Sequence, residues 1–200
     1  MSELKERIKN KLQKVLRCPV CSLLDDLEYD ILCKLQYDVT NDEAIRNSIA
    51  SEGGFCDFHF RQFRKVANSK TNALLLSAVI DHYMKANMEY SLHCRLCNAS
   101  AEYEHNLLSS FLTLIEDSVF QEEYAKHSGL CIGHLMSLFT MDISESAKKW
   151  LMDVLRISLQ NDLPLLQDMA GVSYYNTKRI ARSSIIRCTE KFAGRRALGL

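Results

Sequence analysis

Cysteine and histidine recur at two spacings in this 200-residue chain. Cys-x-x-Cys occurs as CPVC (18–21) and CRLC (94–97), and Gly-x-Cys-x-x-His occurs as GFCDFH (54–59) and GLCIGH (129–134). Two intervening residues let the backbone turn so that both sulfurs of a Cys-x-x-Cys pair point at one metal ion. A Cys and a His three apart at a helix start share one face, and the free N–H groups there stabilise a thiolate. The chemistry indicated is metal binding.

The order of the motifs predicts two sites, each with three cysteines and one histidine. Each Cys-x-x-Cys precedes a Cys-x-x-His, with 34 residues between them in the first case and 33 in the second. Three thiolates and one imidazole form a closed shell of the kind found in structural zinc sites. The predicted ligands are Cys18, Cys21, Cys56 and His59 for one Zn²⁺, and Cys94, Cys97, Cys131 and His134 for the other. The sequence leaves open whether ligands cross between the two halves.

Other cysteine chemistry fits the sequence less well. Iron–sulfur clusters generally use four cysteines, and neither half has a fourth in register. No histidine follows either Cys-x-x-Cys directly, as covalent haem attachment requires. CPVC resembles a thioredoxin-type redox pair, but no βαβ pattern surrounds it.

Two cysteines and four histidines lie outside the pattern, the histidines being His82, His93, His105 and His127. About 18 Å of helical rise separates Cys33 from Cys21, which is too far for the two to share a metal ion, so Cys33 is predicted to be a core residue instead. Cys188 is predicted to pack, with an exposed reactive thiol as the alternative. His93 and His127 flank the motifs, so each is a candidate outer partner or substitute ligand, and the alternative is an ordinary surface or core histidine.

Helices must position these ligands. Apolar residues recur at helical spacing, nothing alternates with period two, and the chain has only two prolines and seven glycines, so the predicted fold is all-α. Helices are expected at about 2–16, 21–37, 43–52, 55–66, 69–90, 97–114, 117–127, 131–140, 144–160 and 173 into the 190s. A capping box at Thr40 to Glu43 is expected to start the third helix, and Gly53-Gly54 to end it.

The two halves repeat. An offset of 76 superposes the Cys-x-x-Cys pairs and places Glu28 on Glu104, and an offset of 75 superposes the Cys-x-x-His pairs. The sequence therefore predicts a duplicated helical unit, with residues 1–90 as the first zinc-binding repeat and 91–200 as the second, plus a basic C-terminal helix. Two separate domains and a single globule are both compatible with these lengths.

Charge is balanced over the whole chain but not along it. The formal net charge is zero, yet residues 172–200 hold seven basic residues and one acidic residue, which leaves −6 on the first 171. A basic tail folding back on the acidic body is the favoured interpretation, and an anionic partner is the alternative. No apolar run is long enough for a membrane span, and the N-terminus has no apolar signal region, so a cytoplasmic protein without membrane contact is expected.

The motifs also carry a family resemblance. Cys-Pro-Val-Cys, a following helix with Glu28, and Gly-Gly-Phe-Cys-x-x-His resemble a bacterial and archaeal domain-of-unknown-function family whose motifs are often doubled. The resemblance extends from about Cys18 to the segment 190–194. The second copy departs from it at Arg95 and Leu130, and it keeps the ligands. The resemblance implies no activity.

The sequence favours a non-enzymatic protein, a zinc-binding structural, interaction or regulatory module, over a zinc-thiolate redox sensor or thiol redox enzyme. An unidentified protein partner is expected. Nucleic-acid binding through the basic C-terminal segment, a homodimer and a hydrolytic zinc enzyme are further alternatives.

Overall fold

The structure is a computed structural model that describes residues 2–15, 17–86, 93–127, 129–170 and 179–194. Within these residues the chain forms ten α-helices and no β-strand, so the predicted all-α fold is confirmed. The helices are α1 (Ser2–Lys14), α2 (Pro19–Asn41), α3 (Glu43–Ser51), α4 (Asp57–Val66), α5 (Ser69–Lys85), α6 (Arg95–Leu114), α7 (Ser118–Lys126), α8 (Ile132–Phe139), α9 (Glu145–Ala170) and α10 (Arg179–Ala193).

Helix boundaries differ from the prediction at a few ends. Helix α2 continues to Asn41, and the Thr40 hydroxyl inside it donates to the Gln36 carbonyl. The predicted capping box at Thr40 was therefore wrong, because Asp42 is the N-cap of α3 and accepts from the N–H groups of Ala44 and Ile45. Helix α9 continues through Pro164 to Ala170. The predicted end of the fifth helix near Tyr90 and the predicted start of the last near Ser173 lie outside the described residues.

The residues group into two compact units. One combines the segments Met1–Leu23 and Glu104–Leu200, and the other is the continuous segment Leu24–Tyr103. The predicted division into 1–90 and 91–200 follows the sequence repeat. In the structure, one compact unit combines the start of the chain with most of the second half, and the other contains the residues between them. We call them the discontinuous unit and the continuous unit.

The discontinuous unit has an aromatic core. The Phe111 ring lies 5.5 Å from that of Phe120 and 5.6 Å from that of Tyr124 in edge-on contacts, and Tyr124 lies 5.4 Å from Trp150. Edge-on aromatic pairs bury large apolar areas with a fixed relative orientation. These contacts connect α6, α7 and α9.

Helix α10 packs on α8 and α9 in the same unit. The Arg187 guanidinium pairs with the buried Asp162 carboxylate, and the buried Lys191 ammonium donates to the Ser158 hydroxyl at 2.8 Å. These two basic residues of α10 therefore pack against α9, in agreement with the predicted packing of the basic segment on the rest of the chain. Lys178, Arg195 and Arg196 lie outside the described residues.

The continuous unit is built around the packing of α3 on α5. Its core contains ten buried residues from α2 to the start of α6: Leu32, Leu35, Val39, Ile49, Phe55, Phe63, Ala67, Leu75, Cys94 and Leu96. Burial of each Leu, Ile, Val or Phe side chain among them contributes about 1.5 to 3 kcal/mol relative to exposure, before the entropy of ordering the chain is subtracted.

In the described ranges, no helix combines the length and the apolar character that crossing a membrane requires.

Candidate metal centres

The first cluster lies in the discontinuous unit and contains Cys18, Cys21, Cys131 and His134, all of them buried. One potential ligand atom from each residue lies within 4.8 Å of all the others. The His134 Nδ1 is 3.4 Å from the Cys18 Sγ, 3.3 Å from the Cys21 Sγ and 3.2 Å from the Cys131 Sγ. The four side chains thus converge on one point.

The second cluster lies in the continuous unit and contains Cys56, His59, Cys94 and Cys97. The His59 Nδ1 is 3.2 Å from the Cys56 Sγ, 3.3 Å from the Cys94 Sγ and 3.4 Å from the Cys97 Sγ. The ligand geometry is therefore the same as in the first cluster. The exposure differs, because Cys97 is exposed and Cys56 is only partly buried.

All eight predicted ligand residues thus lie in one cluster or the other, but the predicted grouping was wrong. Cys18 and Cys21 meet Cys131 and His134 instead of Cys56 and His59. Cys94 and Cys97 correspondingly meet Cys56 and His59. Of the two arrangements that the sequence left open, the structure has the one in which ligands cross between the sequence halves.

Helix length is the physical reason for the exchange. The 23 residues of α2 extend over about 34 Å and carry the chain away from its first cysteine pair. The nine residues of α3 span only about 14 Å, so they do not return the chain to that pair. In the second half, α6 with 20 residues and α7 with nine impose the same limit. Each Cys-x-x-His therefore meets the other cysteine pair.

Each cluster forms where two helices begin. Cys56 is the N-cap of α4 and Cys131 is the N-cap of α8, and both have extended backbone. The His134 N–H donates to the Cys131 Sγ at 3.5 Å. Cys18 and Cys94 immediately precede α2 and α6. Two helix N-termini therefore face each group of thiols, and their dipoles favour thiolate.

Glycines make the entry to each Cys-x-x-His possible. Gly54 has φ of +82° and Gly129 has φ of +66°, a region that side-chain-bearing residues rarely occupy. A Cβ on Gly54 would lie 2.8 Å from the Phe60 ring, and one on Gly129 would lie 2.7 Å from Tyr124. The prediction that these glycines free φ between two helices is confirmed, and close packing adds a second reason for glycine.

A glutamate faces the outer nitrogen of each histidine. The His59 Nε2 lies 3.2 Å from the Glu28 Oε1, and the His134 Nε2 lies 3.5 Å from the Glu104 Oε1. A carboxylate there orients the ring so that Nδ1 faces the sulfurs, and it raises the basicity of a metal-binding imidazole. Sequence reasoning assigned these glutamates no role. The signal was present, because the repeat superposes Glu28 on Glu104.

Crowding of the thiols perturbs their ionisation. Burial opposes ionisation of Cys94, but hydrogen bonds from His59 and nearby backbone lower its pKa to about 6. Burial and the neighbouring thiols of Cys56 and Cys94 raise the pKa of Cys97 to about 12. Burial lowers the pKa of His134, yet contacts with Cys131 and Cys21 raise it to about 10. The second cluster thus favours one thiolate and resists another, a conflict that a bound cation relieves.

The spacing of the ligand atoms fits Zn²⁺. Four ligands in a tetrahedron with Zn–S bonds of about 2.3 Å place two sulfurs about 3.8 Å apart. The Sγ atoms of Cys21 and Cys131 are 3.7 Å apart, and those of Cys56 and Cys97 are 3.6 Å apart. The distances, the donor types and the outer carboxylates all suit a tetrahedral ion.

The remaining candidates lie elsewhere. Cys33 is exposed, so its predicted core position was wrong, because it points away from the buried helix face of Leu32 and Leu35. Cys188 is partly buried with its Sγ 3.8 Å from the Asp162 carboxylate. Neither His93 nor His127 belongs to a cluster, and the His127 Nε2 lies 3.4 Å from Glu123.

Comparison with known proteins finds a family similarity over part of the chain and no activity. Neither the curated proteins nor the solved structures contain a significant match to the chain. The matched segment of the chain contains Cys18, Cys21, Cys56 and His59, hence two residues of each cluster. The predicted resemblance to a family of unknown function is confirmed over this part of the chain: residues 5–92 match the Family of unknown function (DUF6062).

Proposed function

We propose that this is a non-enzymatic zinc protein, in which two structural Zn²⁺ ions hold helical units that present a surface to a protein partner. The observation that carries the proposal is the convergence of three sulfurs and one imidazole nitrogen within 4.8 Å, twice. Such a shell has four protein ligands and leaves no position for the water or substrate that a catalytic zinc needs. Three thiolates with one imidazole favour zinc over the oxygen-preferring cations, and iron–sulfur clusters generally use four cysteines.

We further propose that the chain arose by internal duplication with exchange of ligand pairs. Each histidine keeps the glutamate of its own sequence half, and the cysteine pair comes from the other half. The arrangement is an intramolecular counterpart of domain swapping, in which identical elements trade places. It makes each metal centre a cross-link between distant parts of the chain. A reducing cytoplasm, where we place the protein, keeps such thiols available for zinc.

The first test is the metal content of protein purified without added metal. Elemental mass spectrometry is expected to find two zinc ions per chain, and Cys33 and Cys188 are expected to be the only thiols that react rapidly in the native protein. All eight thiols should react after denaturation in a chelator. Iron in place of zinc, or eight reactive thiols in the native protein, would contradict the proposal.

A redox sensor is the second candidate, and the exposure of the second cluster favours it there. Cys97 is exposed, Cys56 is partly buried, and their sulfurs are 3.6 Å apart. Hydrogen peroxide could oxidise these two thiolates to one disulfide; it would accept two electrons and two protons and become two waters. The two remaining ligands would then no longer retain the ion.

The difference in exposure predicts two rates of metal loss. When a chelator and a chromogenic zinc indicator are added, we expect the exposed cluster to release its zinc ion at least about tenfold faster than the buried cluster. The reason is that a competing ligand needs access to the metal. Cys94→Ser should abolish the fast phase, and the matched Cys18→Ser should abolish the slow phase. Release of both equivalents at one rate would count against the redox candidate.

A further inference from the structure

A groove lies apart from the metal centres in the continuous unit. Its volume is about 540 Å³, and residues of α4 and α5 line it: Phe60, Arg61, Arg64, Asn72, Leu75 and Leu76. Leu75 is buried at its base, whereas Leu76 is 46% exposed at its edge. The groove thus has an apolar floor and a basic side.

An exposed apolar stripe continues from the groove along α5. Leu76, Ile80 and Met84 follow at intervals of four residues, with 46%, 59% and 60% of each residue exposed. Residues four apart in a helix lie on the same face. The opposite face of α5, with Thr71 and Leu75, is buried within the unit. A helix that is apolar on its exposed face as well as on its buried face offers a second apolar surface that a binding partner can bury.

Basic residues flank this apolar surface. Arg61 pairs with Asp57 at 3.0 Å, and Lys85 pairs with Asp81 at 2.6 Å. Arg64 and Lys65 are exposed, and no carboxylate of the described residues lies within ion-pair distance of either. Over 57–85 the chain has five basic and two acidic residues, against an acidic excess in the first 171 residues. The groove is therefore locally positive.

We propose that the groove and the Leu76, Ile80 and Met84 stripe bind an acidic amphipathic helix of a protein partner. An apolar side chain of that helix fills the groove above Leu75, further apolar residues cover the stripe, and carboxylates on its flank face Arg61 and Arg64. A concave groove suits an inserted side chain better than a flat bilayer does. The inference rests on the proposed role as an interaction module, because it names the chemistry of the partner.

Two synthetic helical peptides test the proposal. One has leucines at helical spacing and glutamates on the flanking positions, and the matched peptide has lysines in place of the glutamates. By fluorescence anisotropy, the acidic peptide is expected to bind at least about tenfold more tightly than the basic one. Leu76→Asp, and the double change Arg61→Glu with Arg64→Glu, should each weaken acidic-peptide binding at least about tenfold. Val119→Asp, at an exposed apolar residue of the other unit, should leave it unchanged.

Equal binding of both peptides, or no loss in Leu76→Asp, would overturn the proposal. Binding to anionic phospholipid vesicles without binding to the acidic peptide would overturn it in favour of a membrane surface. Dimerisation of the wild-type protein that Leu76→Asp abolishes would assign the surface to a second copy. Zinc content and circular dichroism are measured on the same preparations. Failure of peptide binding with two zinc ions retained overturns the groove alone, whereas absence of zinc contradicts the proposed zinc protein.

Discussion

Replacing Cys21 and Cys131 together by serine is expected to leave one zinc ion per chain, whereas replacing Cys21 and Cys56 together is expected to leave none. The first pair belongs to a single cluster, so the other cluster keeps all four ligands. The second pair removes one ligand from each cluster. A structural zinc site depends on its complete tetrahedral set, so a site with one thiolate lost should not retain the ion through purification.

Elemental mass spectrometry of the purified variants provides the measurement, with Cys33→Ser as the control that should keep two ions. The test separates the two groupings cleanly, because ligands paired within each sequence half would give the reverse result. One zinc ion in the Cys21 and Cys56 double variant, with none in the Cys21 and Cys131 double variant, would contradict the exchanged arrangement. Retention of two ions in both would contradict the metal centres themselves.

Replacing His134 by alanine is expected to lower the free energy of unfolding by about 4 kcal/mol or more. The change removes the one imidazole of a buried cluster and leaves three thiols crowded in low dielectric. It also removes the contacts of α8 with Cys18 and Cys21 at the start of α2 that His134 makes. A loss of this size corresponds to a fall of about 8 to 16 °C in the thermal midpoint of a 200-residue protein.

Thermal unfolding followed by circular dichroism, with excess zinc present, measures the effect. His127→Ala is the matched control: its side chain is partly exposed and pairs with the Glu123 carboxylate near the surface, so a change below about 1 kcal/mol is expected. A chelator should lower the midpoint of the wild-type protein at least as far as the variant's. If His134→Ala unfolds within about 2 °C of the wild type, the buried cluster contributes little to stability.

Much of the local structure follows from the sequence because it depends on neighbouring residues. Apolar periodicity places the helices, since core-facing positions recur every 3.6 residues. The glycines before each Cys-x-x-His predict the sharp turns, and positive φ at Gly54 and Gly129 confirms them. Cys33 shows the limit of such reasoning. A distance along the helix excludes it from a metal site, but only the packed neighbours of α2 determine that it faces outward.

The ligand residues could likewise be predicted, because a metal-binding pair needs a short fixed spacing that one turn of backbone provides. Their partners could not be taken from spacing alone. A flexible chain of 34 residues could bring Cys56 back to Cys21, but the rigid helices α2 and α3 differ in length and prevent it. The helix lengths predicted from the sequence already argued against pairing within each half, whereas the order of the motifs suggested that pairing.

By itself, the sequence determined an all-helical chain with four short ligand pairs, each formed by residues three apart and positioned by a local turn. Only the tertiary structure decided which pairs meet, that Glu28 and Glu104 face the histidines, and that one cluster is buried while the other is partly exposed. Local spacing depends on a few backbone dihedral angles. The meeting of residues more than one hundred positions apart, such as Cys18 and His134, depends on how whole helices pack.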